Sequence, residues 1–349
     1  MGSAPALGRG RSLLTDTYGR TARDLRVSLT DRCNLRCTYC MPEEGVEWTP
    51  TDQTLTVDEF NRLIRIAVEM LGIRQVRFTG GEPLLHRGLE QIIAATKKLT
   101  TDEEAAPRTA ITTNGLGLDR RVQRLKDAGL DRVNISLDSI DKERYARLTR
   151  RDRLPGVLKG IAAAIEHGLH PVKVNAVIMR GINEGDVIPL TEFALVHGFQ
   201  LRFIEQMPLG PGGVWTRNGM VTAEQIIDML SQRFALTPAN DNRGSAPAAL
   251  WNVTDRSDQT LTGRIGIIAS VSQPFCGNCD RTRLTSDGCI RSCLFSTTET
   301  PLREMMRTGA TDTELAQAWQ QAMFFKPAGH GIDDPSFLQP ARGMSQIGG

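Results

Sequence analysis

The stretch Cys33-Asn34-Leu35-Arg36-Cys37-Thr38-Tyr39-Cys40 decides how the rest of this 349-residue chain is interpreted. It places three thiols on one short loop, spaced C-x3-C-x2-C, directly after the apolar-alternating run 25–29. Three such thiolates can hold three irons of a cubane iron–sulfur cluster, because these irons favour thiolate ligands. The fourth iron then lacks a protein ligand, and an open metal position is where a substrate can bind.

Other uses of these cysteines fit the sequence less well. Seven cysteines in 349 residues are far from disulfide-dense, and the chain shows no export signal. A zinc site needs a fourth Cys or His close by, and the next His is His86. The spacing, with an aromatic residue before the last Cys, resembles the signature of radical S-adenosylmethionine enzymes. We therefore expect an iron–sulfur cluster on this loop.

Composition narrows the class of protein. A hydrophobic content of 40% and a charged content of 23% are ordinary for a globular protein. The net charge of +2 supplies no general field for nucleic acid. No run approaches the roughly 18 apolar residues of a membrane helix. We expect neither a nucleic-acid nor a membrane partner, and a cytoplasmic location that keeps the thiols reduced.

Strand and helix patterns alternate along residues 25–204 with a period of about 30 residues. The predicted strands cover 25–29, 75–78, 109–113, 132–137, 172–178 and 200–204. The predicted helices begin at the capping box Thr56–Glu59 and lie near 88–99, 119–128, 156–167 and 187–197. Six units are too few for the usual eight-stranded barrel. We therefore expect an α/β fold, a partial (incomplete) TIM-type (βα)6 barrel with a wide mouth.

The patterns divide the chain into three regions. Residues 1–21 lack periodicity and predict a flexible N-terminal arm. Residues 22–245 form the predicted partial barrel, and residues 246–349 form a C-terminal region that carries the other four cysteines. Residues 237–262 lose periodicity and predict a linker or exposed loop, followed by a strand at 264–269.

Basic residues fall inside strands that otherwise look buried: Arg26, Arg77, Lys173 and Arg202. A cation on a buried strand costs several kcal/mol unless it is paired. Any one of them fits a structural ion pair, but four on different strands indicate a common anionic ligand in the barrel lumen. Arg offers bidentate geometry to phosphate and Lys a point charge, so a triphosphate is a plausible guest.

The C-terminal cysteines form a second group. Cys276 and Cys279 are spaced C-x2-C, and Cys293 follows after thirteen residues with Cys289 between. This spacing alone fits a second cluster and a zinc ribbon equally well. The cations in the segment 280–283 flank the group, and a purely structural zinc would not need them.

Together these features resemble the GTP 3′,8-cyclase family (molybdenum cofactor biosynthesis protein A), which are radical S-adenosylmethionine lyases. The resemblance runs from about residue 22 to the end. It is carried by Asp31–Pro42, Val76–Pro83, Thr112–Gly115, Asn134–Asp138, Val172–Asn175, Leu201–Glu205, the triad Cys276, Cys279 and Cys293, and Ile347–Gly349. It implies conversion of GTP to 3′,8-cyclo-7,8-dihydro-GTP through a 5′-deoxyadenosyl radical, the first step of molybdenum cofactor (molybdopterin) biosynthesis.

The resemblance also implies a role for individual residues. One [4Fe–4S] cluster is held by Cys33, Cys37 and Cys40, and a second by Cys276, Cys279 and Cys293. The S-adenosylmethionine contacts are Tyr39, Gly81, Ser136 and Met207. The GTP contacts are Arg26, Arg77, Thr112, Lys173, Arg202, Arg281, Thr282 and Arg283. The tail residues Gly348 and Gly349, which composition alone would class as frayed, enter the active site and take part in catalysis.

The resemblance implies partners as well. They are GTP as substrate, an electron donor protein, and cyclic pyranopterin monophosphate synthase as the next enzyme, with the chain a monomer or a homodimer. Cys289 departs from the family pattern, and we expect it to be a spare thiol. The alternatives are a radical enzyme with an auxiliary cluster acting on a peptide or RNA, and a zinc-ribbon binding module.

Overall fold

A computed structural model describes residues 12–210, 215–335 and 337–348 of the chain. Twelve strands of these described residues form one sheet. In chain order they are β1 (Asp24–Ser28), β2 (Gln75–Thr79), β3 (Arg108–Thr113), β4 (Arg132–Ser136), β5 (Lys173–Ile178), β6 (Gln200–Glu205), β7 (Phe234–Pro238), β8 (Ala249–Asp255), β9 (Thr262–Ile268), β10 (Arg281–Leu284), β11 (Cys289–Arg291) and β12 (Thr300–Pro301).

The α-helices lie between and after these strands. In chain order they are α1 (Val57–Arg65), α2 (Leu89–Lys97), α3 (Val122–Asp127), α4 (Lys142–Thr149), α5 (Leu154–Glu166), α6 (Val187–His197), α7 (Ala223–Ser231), α8 (Leu302–Arg307), α9 (Asp312–Phe324) and α10 (Met344–Ile347). In the described part of the chain, none of the helices combines the length and the apolar character needed to span a bilayer.

The sheet runs in the order β12-β11-β10-β1-β2-β3-β4-β5-β6-β9-β8-β7. Neighbouring strands from β10 through β9 pair in parallel, and the outer strands at both ends are antiparallel. The predicted α/β class with a mostly parallel sheet is confirmed. The six predicted strands are consecutive neighbours, and β9 and β10 extend their parallel array on either side. Side chains from β1 to β6 and β10 line one cavity, so the sheet curves around it.

Alternation along each strand decides which side chains face this cavity. On β1 and β2, Leu25, Val27, Val76 and Phe78 are fully buried on the outer, helix-covered face. The residues between them face inward, as expected for a two-residue period. Helix α1 covers the outer face and begins at the predicted capping box, in which the amide nitrogen of Glu59 lies 3.2 Å from Thr56 Oγ1.

The predicted linker at 237–262 is wrong where strand β8 crosses it. Strand β8 pairs antiparallel with both β7 and β9, and the loops 239–248 and 256–261 connect the three strands. The turn-forming residues at 240–244 led us to miss strand β8. Its apolar face is short, since Trp251 and Val253 alternate with polar residues. Helix α4 was also missed, because its polar sequence buries only Tyr145, Leu148 and Thr149.

The end of the predicted flexible arm is packed against the rest of the molecule. Residues 1–11 lie outside the described residues, but Leu14 is fully buried and Thr15 bridges to Thr21. The predicted boundary at residue 245 stays a prediction. Strands from its C-terminal side, β9 and β10, pair with β6 and β1, so the two predicted regions share one sheet.

Candidate active site

The cavity enclosed by the curved sheet brings together the second cysteine group and residues from most strands. The residues that line it are Arg26, Arg77, Thr112, Asn134, Asn175, Arg202, Ile204, Met207, Pro247, Ile268, Ser270, Phe275, Cys276, Cys279, Arg281, Arg283, Ser292, Cys293, Leu294, Phe295 and His330. A second cavity adjoins it at the amino-terminal ends of the strands. The two share Arg26, Arg77, Arg202, Pro247 and Arg281, so these residues lie at their common boundary.

The first cysteine triad lies on the loop that follows β1. Cys33, Cys37 and Cys40 are unpaired and partly buried, and the carbonyl oxygen of Cys37 accepts hydrogen bonds from the amides of Cys40 and Met41 at 2.9 and 3.1 Å. Burial, and then the neighbouring Cys33, raises the pKa of Cys40 to about 12. Burial also raises the pKa of Cys37, with Asp138 and the other two thiols adding to it. The three thiols are therefore close enough to disfavour one another's ionisation.

This donor set fits an iron–sulfur cluster. Three unpaired soft sulfur ligands on one loop, each disfavouring the ionisation of the others, are stabilised when a polynuclear cation binds all three. Among the described residues, no three His, Cys, Asp or Glu side chains converge tightly enough to hold a single metal ion. The fit to a cluster rests on the sulfur donors and their spacing.

The Gly80-Gly81 pair seats the cysteine loop. A Cβ atom at Gly80, whose φ is +139°, would lie 2.3 Å from Thr30 O, and one at Gly81 would lie 2.3 Å from Arg32 O. The Gly81 amide donates to Thr30 O at 2.6 Å, so the two loops are in direct backbone contact. The sequence pattern indicated close approach of a ligand, and the structure shows that the cysteine loop itself also requires these glycines. The contact of Gly81 with S-adenosylmethionine stays a prediction.

Glu82 connects this loop to the strand ends and was not predicted as a site residue. Its fully buried carboxylate accepts hydrogen bonds from Thr113 Oγ1 at 2.6 Å, the Asn114 amide at 2.7 Å and the Leu84 amide at 2.9 Å. Burial raises its pKa to about 7, although these hydrogen bonds oppose the shift. Asn114 Nδ2 lies 3.9 Å from Cys33 Sγ, which extends the network to the first triad.

The predicted S-adenosylmethionine contacts lie around the same loop. The Tyr39 hydroxyl donates to Asp138 Oδ2 at 2.9 Å, and Asp138 Oδ1 accepts from the Val177 amide at 2.9 Å. Burial raises the pKa of Asp138 to about 6. Ser136 ends β4, and Met207 lines the cavity.

Five of the predicted GTP-binding cations line the cavity: Arg26, Arg77, Arg202, Arg281 and Arg283. Lys173 lines the adjoining cavity, which it shares with four of them. Thr112 also lines the main cavity. The contact of Thr282 with GTP stays a prediction, and its side chain does not line the cavity. Strand alternation buries it against α9, where its Oγ1 accepts a hydrogen bond from Trp319 Nε1 at 3.0 Å.

The buried cations make the lumen electropositive. Burial, with repulsion from neighbouring arginines, lowers the pKa of Arg26, Arg202 and Arg283 to about 9. Burial lowers the pKa of Arg77 to about 10, and burial followed by Arg202 lowers that of Lys173 to about 8.

The lumen also leaves hydrogen-bond donors unused. The Nε atoms of Arg26, Arg77 and Arg281 are buried and have no hydrogen-bond partner among the described residues. Asp24 Oδ2 lies 3.6 Å from Arg26 Nη2 and 3.7 Å from Arg77 Nη2, so one carboxylate partly offsets several cations. Unused buried donors and excess positive charge together indicate a polyanionic ligand.

The second triad, Cys276, Cys279 and Cys293, lines the main cavity. Burial raises the pKa of Cys276. At Cys279 burial also acts upward, but Lys326 and Arg281 outweigh it and leave the pKa below its usual value. These three free thiols facing one cavity fit a second cluster as the first triad does.

Cys289 is placed apart from this triad. It does not line the cavity, and its Sγ lies 3.8 Å from Asp287 Oδ2. Burial, and then Asp287, raises its pKa to about 12. This placement agrees with a spare thiol.

The tail reaches the site at Gly348. Arg283 Nη1 donates a hydrogen bond to Gly348 O, and Ile347 before it is 1% exposed. A Cβ at Gly348 would lie 2.3 Å from Ser28 Oγ and 2.6 Å from Thr79 Cγ2. The tail is therefore packed against the ends of β1 and β2 beside the cavity, and Gly349 lies outside the described residues.

Sequence reasoning missed several residues of the two cavities, including Asp24, Arg132, Asn134 and His330. Arg132 and Asn134 could have been predicted, because they lie two residues apart on the same strand face as Ser136. Arg132 Nη2 donates to Gln75 Oε1 at 2.8 Å, where it lines the second cavity.

Comparison with sequence families matches two consecutive profiles. The Radical SAM superfamily matches residues 27–194, and Molybdenum Cofactor Synthesis C matches residues 199–332. The chain is 66% identical over 340 residues to a GTP 3′,8-cyclase of Corynebacterium glutamicum, covering 97% of this chain and 90% of the relative. It is 57% identical over 348 residues to a GTP 3′,8-cyclase of Mycolicibacterium smegmatis, covering 100% and 94%.

A solved structure shares the fold. Streptococcus suis SuiB bound to S-adenosylmethionine superposes with a TM-score of 0.59 at 15% identity, covering 91% of this chain and 67% of that one. At this identity the likeness concerns the fold alone.

Proposed function

Because the chain belongs to the GTP 3′,8-cyclase family of radical S-adenosylmethionine enzymes, we propose that its two cysteine triads hold two [4Fe–4S] clusters and that the cations of the shared lumen bind GTP. The function is conversion of GTP to 3′,8-cyclo-7,8-dihydro-GTP, the first step of molybdenum cofactor biosynthesis. The observation that carries the site assignment is the common lining of one cavity by the second triad and five arginines.

Cys33, Cys37 and Cys40 hold the first cluster in this proposal, and Tyr39, Gly81, Ser136 and Met207 contact S-adenosylmethionine. When bound and reduced, the cluster supplies the electron that cleaves S-adenosylmethionine and yields the 5′-deoxyadenosyl radical. The chain's own contribution is to fix the loop. The glycine turn and the Glu82 network hold it rigidly against the ends of β2 and β3.

The lumen cations bind the triphosphate. Guanidinium groups of Arg26, Arg77 and Arg202 project from three different strands and can each grip phosphate oxygens through two donors. Their unpartnered Nε atoms, at Arg26 and Arg77, gain acceptors when the anion arrives. Lys173 adds a point charge at the amino-terminal end of the lumen, and Arg281 and Arg283 complete the set. Thr112 lines the same cavity and is a further contact of GTP in this proposal.

Cys276, Cys279 and Cys293 hold the second cluster in this proposal and leave one iron position free for the guanine base. Fixing the base at one end and the triphosphate at the other orients the ribose within the lumen. The family reaction removes the ribose 3′ hydrogen and joins that carbon to C8 of the guanine. The chain promotes this step by holding the two carbons together and by shielding the lumen from water, with Gly348 packed beside it.

The proposal extends to partners. An electron donor protein reduces the clusters, and cyclic pyranopterin monophosphate synthase consumes the product, in a cytoplasmic setting with the chain a monomer or a homodimer. The relatives' common activity does not support the alternatives of a peptide or RNA substrate or of a zinc-ribbon binding module.

Metal analysis of triad variants tests the site assignment. Anaerobic reconstitution of the wild-type chain is expected to give about eight irons and as many acid-labile sulfides per chain. Serine variants of the triad Cys33, Cys37 and Cys40 are expected to keep about half, as are those of the second triad. Zinc without sulfide in the wild-type chain would contradict the proposal.

A further inference from the structure

A buried lysine contacts the second triad from outside the cavity. Lys326 follows α9, and its residue surface is only 3% exposed. Its Nζ donates hydrogen bonds to Cys279 Sγ at 3.3 Å, to Cys279 O at 3.1 Å and to Arg281 O at 2.8 Å. An ammonium carries three donors, so all of them are directed to the segment 279–281.

The partners of this ammonium indicate what the site contains. They are two neutral carbonyl oxygens and one sulfur, and none is a carboxylate. Burying an ammonium costs several kcal/mol unless a negative charge lies close to it. A neutral thiol leaves that charge uncompensated, whereas a thiolate bound to a metal cluster compensates it. The lysine is therefore placed as the counterion of a cluster ligand.

A second buried cation fixes the backbone that carries Lys326. Arg20 Nη2 donates to Pro327 O at 2.6 Å, and Nη1 donates to Cys276 O at 2.8 Å. Its Nε pairs with Asp16 at 2.6 Å, and the two side chains are 8% and 0% exposed. Arg20 thus ties the lysine segment to one cysteine of the C-x2-C pair, while Lys326 holds the other.

In the described part of the chain, no Lys or Arg donates a hydrogen bond to a sulfur of the first triad, and the nearby Arg36 donates to Cys33 O at 2.7 Å instead. At Cys33 Sγ the donors are the Leu35 amide at 3.5 Å and Asn114 Nδ2 at 3.9 Å, both neutral. Hydrogen bonds and net charge at the sulfurs set the reduction potential of a cluster, and a positive donor favours the reduced, more negative form. The two triads therefore provide different electrostatic surroundings.

We propose that Lys326 is a positioning residue for the second cluster: its ammonium holds Cys279 at the cluster, balances the charge of that thiolate and raises the reduction potential of the cluster. The proposal rests on the proposed function in requiring a cluster at Cys276, Cys279 and Cys293. Arg20 serves it by fixing the backbone and does not contact a sulfur.

The test uses the full chain with Cys33, Cys37 and Cys40 replaced by serine, so that only the second cluster contributes. Lys326→Met removes the ammonium and keeps a side chain of similar length, whereas Lys326→Arg keeps the positive charge. Lys159→Met is the matched control, because it removes an exposed lysine on α5. After anaerobic reconstitution, the midpoint potential is measured by a redox titration followed by electron paramagnetic resonance. The rate of iron transfer to a chelator is measured in parallel.

We expect the Met variant to lose iron about tenfold faster or more and to have a more negative potential. The Arg variant keeps the potential close to that of the parent chain, and the control changes neither quantity. A Met variant with the parent potential and the parent rate of iron loss would overturn the proposal.

Arg20→Gln distinguishes the charge of Lys326 from the support of its backbone. It also provides a test of the proposal if Lys326→Met does not fold. Because the ammonium remains, iron loss is expected to accelerate, and the potential of the intact cluster is expected to shift less than in Lys326→Met. An equally negative potential in Arg20→Gln would contradict the assignment of charge balance to Lys326. A parent chain that binds no iron or sulfide at this triad would instead refute the proposed function, before any variant is compared.

Discussion

Arg283 donates a hydrogen bond to the carbonyl oxygen of Gly348, which joins a lumen cation to the tail of the chain. Arg283 lies on β10 and lines the cavity, and Gly348 packs against Ser28 and Thr79 at the ends of β1 and β2. A ligand bound to Arg283 is therefore in mechanical contact with the tail. In the proposed function, a nucleotide that binds Arg283 therefore affects the position of the tail, and the position of the tail affects nucleotide binding.

Replacing Gly348 with alanine tests the tail. Gly348 has a φ of +73°, and a Cβ there would lie 2.3 Å from Ser28 Oγ, so the tail must shift. A displacement of this size at an active site costs on the order of 10- to 100-fold in turnover. We expect this loss in 5′-deoxyadenosine formation with iron content unchanged.

Gly331→Ala is the matched control for this change. Gly331 has a φ of +69°, but no atom of the described residues lies within 4 Å of the added Cβ, so it carries the same backbone strain without the clash. It is expected to keep wild-type turnover. Equal losses in the two variants would show that backbone strain, and not the tail's position, is responsible.

Asp24→Asn tests the charge balance of the lumen. Asp24 is buried beside Arg26 and Arg77, and its removal leaves their repulsion uncompensated. We expect the free energy of unfolding of the GTP-free chain to fall by about 2 kcal/mol. The rise in melting temperature on adding GTP is expected to exceed that of the wild-type chain, because the phosphates replace the missing negative charge.

Asp152→Asn is the control for that variant, since Asp152 pairs with Lys142 on the exposed surface. It is expected to change the melting temperature little, with or without GTP. A smaller GTP-induced rise in Asp24→Asn than in the wild-type chain would mean that Asp24 arranges the arginines for binding instead of competing with phosphate.

Lys173 gives GTP binding a pH dependence. Burial, and then Arg202, lowers the pKa of its ammonium to about 8 in the free chain. An arriving polyanion favours the protonated form and raises that pKa, so binding takes up a proton above about pH 8. The affinity for GTP is therefore expected to fall as the pH rises above about 8.

Calorimetric titrations in buffers of different ionisation enthalpy measure this proton uptake. Lys173→Arg provides the comparison, because a guanidinium at the same position loses its proton at a higher pH than an ammonium, and the titrations of GTP and of the other lumen cations are common to both chains. The arginine variant is expected to bind GTP with a flatter pH profile. Identical profiles for the two chains would exclude Lys173 as the source of the dependence.

Cys289→Ser tests which C-terminal cysteines are ligands. Cys289 lies beside Asp287 and away from the cavity that the triad lines, so we expect full iron content and wild-type GTP turnover. Cys293→Ser, the same change at a cavity position four residues later, is expected to lose the second cluster. Loss of that cluster in Cys289→Ser would make Cys289 a fourth ligand and leave no iron position for guanine.

The sequence predicted the parts of the molecule whose structure follows from the order and spacing of neighbouring residues. The cysteine loop, the six alternating βα units and the inward cations followed from spacing and from the cost of placing charge on buried strands. The direction of the Thr282 side chain was not predicted, because strand alternation turns it to Trp319.

The remaining features depend on contacts between residues distant in the sequence. Asp24 offsets the charge of Arg77 because parallel pairing places the two side chains on neighbouring strands. The sequence of β1 alone does not show this contact. Lys326 meets Cys279 only because α9 packs on β10 through Trp319. Strand β8 was missed because it is ordered by its two neighbours and has only a weak apolar pattern of its own.

The most direct test of the central claim is isotope transfer from the substrate. The reconstituted chain is incubated anaerobically with S-adenosylmethionine, a reductant and GTP carrying deuterium at ribose C3′, and the 5′-deoxyadenosine is analysed by mass spectrometry. The proposed binding of GTP in the lumen predicts deuterium in 5′-deoxyadenosine, and no such product in excess of background when ATP replaces GTP. Unlabelled 5′-deoxyadenosine from deuterated GTP, or equal labelling from deuterated ATP, would contradict the account.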